Sequence, residues 1–521
     1  MPVLSRRSLL LATPALLLAG CGNGVAQPGG TPFTLGVASG DPAPDGFVLW
    51  TRLAPDPLAP DPLGDGGMGP NPVELRWEVA ADENFRVIAA GGTATALPAE
   101  AHSVHVEVSG LRPGAWYWYR FLTAGQASDV GRARTAPAAG EMPARLRLIL
   151  ASCQNWEHGY FGAWRHAAAE DADAICFVGD YIYEYGTNQR PTLMSRLHRG
   201  GNCTTLAEYR ARYAQYKTDP HLQAAHRAAP WILTWDDHEV ENDYAGDRAE
   251  KSAEQAGFLA RRAAAYQAYW EHMPLRHAQR PVAADAQIYR RLDFGRMARL
   301  HVVDDRQYRA PQACPKPALG GGSNTVGLEC TERLRPDRSL LGMAQERWLE
   351  DGLAASPARW NVLVQQSLFA EMRQGTPEQP RWWTDAWDGY PAARQRLTDY
   401  IATSKPANPL ILGGDVHCFY ATDIKTNNAD SRARVIASEF IGSSISARGW
   451  TNAQLGQHLA ANPHIRFADA EKRGYAVLDL ANGATQARFR AIQDAKDPNT
   501  GVATLQNFVV EAGRPGLQIS G

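Results

Sequence analysis

The sequence predicts an α/β protein: an antiparallel β-sandwich of fibronectin or immunoglobulin type, followed by a larger domain in which strands and helices alternate. Three observations carry this. Residues 31–140 hold short alternating apolar runs, FVLWTRL, VELRWEVA, SVHVEVSG and WYWYRFLT, separated by Pro, Gly and Asp clusters at sandwich-like spacing. The stretch ARTAPAAGEMPA, residues 133–144, is rich in Pro, Ala and Gly and reads as a linker. Over residues 145–521 the grammar changes to buried-strand runs, LRLILAS, AICFVGD, WILTWDD, ARLHVVDD, WNVLVQQS and PLILGGD, interleaved with helix-like segments at 160–170, 253–272 and 343–355.

Taken in order, residues 1–30 stand apart from the fold. Arg6 and Arg7 precede an apolar stretch, residues 9–18, too short to span a bilayer. This resembles an export signal of the twin-arginine type. Leu18, Ala19, Gly20 and Cys21 then resemble a lipobox, in which Cys21 is acylated and becomes the first mature residue; cleavage after Ala26 without a lipid is the alternative. The expected location is periplasmic or cell-surface, with membrane contact through a lipid on Cys21. In the sandwich, the run from Leu111 to Tyr119 looks like a corner at which an aromatic hydroxyl bonds back to the backbone. Beyond residue 488 the chain reads as helix-like, a candidate lid.

Lys plus Arg number 53 against 55 Asp plus Glu, so there is no global basic field to attract nucleic acid. A monomer is expected. Of 7 cysteines, Cys314 and Cys330 bracket a loop of Pro, Gly, Ser and Asn that a disulfide would close, and Cys176 and Cys418 lie in or beside apolar runs as buried hydrophobes. Cys153 ends the run LRLILASC, where chemistry often sits.

Polar residues of metal-binding type accumulate where the apolar strands end. Cys153 follows the first, Asp180 and Tyr183 the second, Asp236, Asp237 and His238 the third, and Asp415 and His417 the sixth. Ends of successive strands in an α/β fold converge on one cleft, so these side chains can act together. Two metal ions side by side need a bridging carboxylate, for which Asp180 is the natural choice, with terminal ligands and an open edge for water. Gly179, Gly413 and Gly414 would let backbone and substrate approach closely. A phenolate at Tyr183 suits a ferric ion, being a hard anionic oxygen donor.

VASGDPAPDGFVLWTRLAPDP, ASCQNWEHGYF, GDYIYEYG, WDDHEVENDYAG, VVDDRQYR, WDGYPAARQRL, GGDVH and EFIGSSIS together resemble the PhoD-type alkaline phosphatases of the metallophosphoesterase superfamily. The resemblance implies a two-sheet αββα core behind the sandwich, with Fe(III) and Ca(II) in the site. Cys153, Asp180, Tyr183 and His417 resemble the iron ligands; Asp237, Asn242 and Asp415 resemble oxygen donors on the calcium side, with Asp236 and Asp243 as alternatives. The chain departs from the wider superfamily where SCQ replaces an opening Asp and His pair and where VQQS stands in place of a ligand His. Hydrolysis is then expected by in-line attack of a metal-bound water on small or polymeric phosphate esters, with His238 steadying the leaving oxygen. Arg306 and the arginines near Arg394 are candidates for orienting substrate, against the plainer reading of salt-bridged structural arginines. A phosphodiesterase or phospholipase D-like enzyme on the same scaffold is the rival; an exported surface-binding protein would lack the intact polar set.

Overall fold

The computed structural model describes residues 30–317, 320–428, 430 and 432–520; Cys21 and the export-signal reading lie outside them. The six apolar runs after the linker are strands: Leu146–Ala151, Ala174–Val178, Trp231–Thr234, Ala298–Val302, Trp360–Val364 and Pro409–Gly413. The first three pair in parallel within a ten-stranded sheet, and the last three do so within a seven-stranded sheet.

Alternation along a strand sends successive side chains to opposite faces. Leu148, Leu150, Cys176, Val178 and Ile232 therefore meet Leu300, Val302, Val362, Val364, Leu410 and Leu412 in one apolar layer between the sheets. Ile149, Ala151, Ile175, Phe177, Trp231 and Leu233 face the other way, under the helices Gly162–Ala167, Leu206–Lys217, Pro220–Ala228 and Phe258–His272. Leu363 and Ile411 of the second sheet pack on Leu349, Leu397 and Ile401 of the helices Met343–Ala354 and Pro391–Ser404. Strands buried on both faces are apolar at most positions, here all but Arg147, Thr234, Arg299, His301 and Asn361, which is why they stand out as runs.

The N-terminal strands Val37–Ala43, Gly46–Arg52 and Ser103–Val108 prolong the ten-stranded sheet, joining it through a parallel pairing of Gly40 with Trp231. Their Phe47, Leu49, Val104 and Val106 pack across from Leu75, Val79, Tyr119 and Phe121 of a separate five-stranded sheet. Strands from both sides of the linker thus share one sheet. The corner is formed as expected: the Tyr117 hydroxyl accepts from Arg112 N–H at 3.0 Å.

The segment past residue 488 is not helical. Ala484–Ile492, Val502–Glu511 and Arg514–Ser520 are antiparallel strands at one edge of the ten-stranded sheet. Alanine and arginine favour a helix by propensity, but Ala487, Phe489 and Ala491 are buried at every second position, and that tertiary pattern wins. Cys314 and Cys330 form a disulfide, while Cys153, Cys176, Cys203 and Cys418 are free and buried. No described helix is long and apolar enough to cross a membrane.

Candidate functional site

The parallel strands deliver their C-terminal ends to one side, and the polar residues that follow them surround a cavity of about 510 Å³. Asp180, Asp237, His238, Asn242, Asp415 and His417 line it. Cys153 and Tyr183 lie buried beside them, packed with Ala447. The donor atoms of Cys153, Asp180 and His417 lie within 4.8 Å of one another, as do those of Asp180, Asp237 and His238. Asp180 belongs to both groups. Asp236, Asp237 and Asp415 form a third set, and Asp237, Asp243 and Asp385 a fourth.

The backbone is bent to this purpose. Cys153, Asp180, Asp243, Asp415 and His417 have φ of +59°, +59°, +55°, +66° and +53°, a region that costs a non-glycine residue energy and recurs where function demands it. Gly179 is required as glycine: its φ is +108°, and a Cβ there would stand 2.3 Å from that of Asp236.

Hydrogen bonds fix the donors. Tyr183 Oη lies 2.8 Å from Asp180 Oδ2 and 3.1 Å from His417 Nε2. His417 Nδ1–H donates to the Arg448 carbonyl at 2.7 Å, which leaves Nε2 as the donor atom facing Tyr183. His238 Nδ1 meets Glu184 Oε2 at 2.8 Å, and its ring is flanked by Tyr183 and Tyr185, with centroids at 4.2 and 5.3 Å. Glu239 accepts from the N–H groups of Asp180, Tyr181 and Asp236 at 3.1, 2.6 and 2.9 Å, tying two strand-end loops together.

The electrostatics call for cations. Burial, reinforced by Asp180, pushes the Cys153 thiol and the Tyr183 phenol well above their ordinary pKa. Burial likewise raises the Asp236 and Asp415 carboxyls, against the pull of Arg306. Burial would also raise Asp237, but Arg306 and His238 outweigh it and hold that carboxyl below the usual range. For His238 burial opposes the charge, yet Asp237 and Glu184 prevail and raise its pKa well above 6.5. Asp180 Oδ1, Asp236 Oδ2, Asp237 Oδ1 and Asp415 Oδ2 are buried without a hydrogen-bond partner. Buried carboxylate oxygens lacking donors are costly unless a positive ion satisfies them, so the residue set fits metal binding.

All the residues singled out from the strand ends converge here. Asn242 lines the cavity with its amide nitrogen on Glu250 at 3.1 Å, and Asp236 is engaged by Arg306. Arg306 is no substrate ligand: it is wholly buried, bonded to Asp236 and to Asp385 at 2.9 Å, the plainer of its two readings. Arg394 pairs with Asp388 at 2.6 Å. Gln365 and Gln366 of VQQS are buried in hydrogen bonds to Ser367, Trp235 and Val303. Sequence reasoning passed over Glu184, Glu239, Arg448 and Arg473. The first two stand directly after chosen residues, in DYIYE and DDHE, and an acid that close to a ligand run is the signal that could have found them.

Comparison with known proteins bears on the same residues. A family model described as PhoD-like phosphatase matches residues 148–489, and one described as PhoD-like phosphatase, N-terminal domain, matches residues 20–137. Alkaline phosphatase D of Bacillus subtilis (strain 168) is 44% identical over 494 residues, covering 94% of this chain and 82% of that protein. A solved structure described as that of PhoD superposes with a TM-score of 0.89 at 43% identity, covering 95% of this chain and 93% of the other.

Proposed function

The chain belongs to the PhoD-like phosphatase family and is an alkaline phosphatase, and from that premise we propose that it is an exported metalloenzyme hydrolysing phosphate esters in the cavity between the strand ends. In this reading the layered sheets are the αββα core of a metallophosphoesterase and the N-terminal strands its sandwich. Cys153, Asp180, Tyr183 and His417 would hold Fe(III), since thiolate, carboxylate and phenolate bring anionic charge to a trivalent ion. Asp237, Asn242 and Asp415, with Asp180 shared, would hold Ca(II), which prefers oxygen. The observation that carries the reading is the membership of Asp180 in two donor groups at once.

Bound there, the ions would offset the negative charge that builds on the phosphoryl oxygens and lower the pKa of water in the site. The chain's own residues supply the rest. Glu184 engages His238 at Nδ1 and leaves Nε2 for the cavity, and its carboxylate, which lies outside the proposed ligand set, favours the protonated ring. The Nε2 proton is therefore the one given to the leaving oxygen as the ester bond breaks, while water attacks in line from the opposite side. Arg306 keeps Asp236 and Asp385 in place from below.

Diesters are also substrates in this reading, because Leu368, Met372, Trp383 and Trp450 give the cavity an apolar lining that can receive a second ester group. Export is supported by Arg6, Arg7 and Cys21 in the leader and by the Cys314–Cys330 disulfide, which suits an oxidising compartment. The test is kcat/KM for a phosphomonoester and a diester with one leaving group, before and after chelation and calcium return. Activity on both should vanish on chelation and return with calcium, with the monoester preferred. Full activity in protein assayed free of both metals would overturn the reading.

A further inference from the structure

The motif EFIGSSIS leads into Arg448, Gly449 and Trp450, which line the cavity. Ile445 N–H donates to Ser152 O at 3.0 Å, Ala447 N–H to Cys153 O at 3.2 Å, and Ser446 Oγ to Asn155 O at 2.8 Å. From behind, buried Arg473 donates to the carbonyls of His417 and Ala447 at 2.6 and 2.8 Å. The segment is thus fixed on both sides, and it carries Arg448 and Trp450 to the cavity wall.

Arg448 is the single arginine or lysine among the described residues lining that cavity, which it shares with Asp180, Asp237, Asp243, Asp388 and Asp415. Its Nη2–H donates to the Leu193 carbonyl at 2.6 Å, and it has no carboxylate partner among the described residues. With one nitrogen on a backbone carbonyl and no carboxylate to neutralise it, this guanidinium keeps its charge for an anionic group that arrives from outside. Trp450, two residues on, exposes 37% of its surface, a large apolar face at the same rim.

We propose that Arg448 and Trp450 form a leaving-group subsite that selects phosphate esters whose organic part presents a planar face to Trp450 and a second anionic group to Arg448. The inference rests on the phosphatase reading and names the substrate class for that site. Arg448 is a specificity residue, acting away from the phosphorus.

The test uses phenyl phosphate and 4-carboxyphenyl phosphate, which differ by one carboxylate, and the ratio of kcat/KM for the carboxylated over the plain ester. Comparing that ratio between variants cancels the intrinsic reactivity of the two esters. In Arg448→Gln the ratio should fall roughly fivefold through a higher KM for the carboxylated ester, and Arg448→Lys should restore most of it. Trp450→Leu should raise KM for both esters. An equal ratio in wild type and Arg448→Gln, with both esters turned over, overturns the subsite alone. Failure of the wild type to hydrolyse either ester overturns the phosphatase reading and this inference with it.

Discussion

In the proposed reaction proton delivery depends on His238 and Glu184, whose Nδ1 and Oε2 lie 2.8 Å apart while the second carboxylate oxygen of Glu184 accepts from Asn242 N–H at 2.9 Å. Replacing Glu184 by Gln keeps the shape and removes the charge. We expect Glu184→Gln to lower kcat about 10- to 100-fold, with a larger loss on alkyl than on nitrophenyl esters, because only a poor leaving group needs the proton. An equal loss on both would separate Glu184 from proton transfer. The ligand-type residues were legible in the sequence because each follows an unmistakable apolar run: Cys153 after LRLILAS, Asp180 after AICFVG, His417 after PLILGGD. Glu184, Glu239 and Arg473 were not, since they act through partners that only the folded chain supplies. Arg473, for instance, holds the carbonyls of His417 and Ala447, and no spacing in the sequence joins those residues.

The same division holds for elements. The six strands that build the site were readable as strands because both faces are largely buried and only Arg147, Thr234, Arg299, His301 and Asn361 break their apolar runs. Val37–Ala43, with the sequence VASGDPA, carries Gly, Pro and Asp and does not read as part of a central sheet, yet it pairs with Trp231. The close approach requires Gly40, where a Cβ would meet the Pro274 carbonyl at 2.2 Å. The helix Leu206–Lys217 escaped notice for a related reason. It buries Arg210, Arg212 and Lys217 along with its tyrosines, so its polar residues mask the apolar stripe by which a helix is normally recognised. Arg210 is paired with Glu271 at 2.6 Å, and Lys217 lies 4.1 Å from the Trp50 ring centroid, partners contributed by distant segments. The C-terminal strands show the opposite error, where local propensity suggested a helix and the alternation in ATQARFRAI was the better guide.

At the scale of the whole molecule, stability should depend on pH through Glu439, buried on the strand Val435–Gly442, where burial raises its pKa to about 8 despite hydrogen bonds from the N–H groups of Phe369 and Ala370. The unfolded chain ionises this carboxyl near 4.5 and the folded chain only near 8, so folding loses stability as pH rises between those values and levels off above them. Between about pH 5.5 and 8.5 the wild type should lose roughly 3 kcal/mol relative to Glu439→Gln in urea titrations. Parallel profiles for the two proteins would contradict this. The account as a whole turns on whether the buried cluster beneath the cavity holds iron. The most direct measurement is the visible spectrum and metal content of purified wild type and Tyr183→Phe. The account predicts a phenolate-to-iron absorption band in the wild type that disappears in Tyr183→Phe while iron is still bound; an unchanged band in the iron-loaded variant would remove Tyr183 from the metal and contradict the assignment.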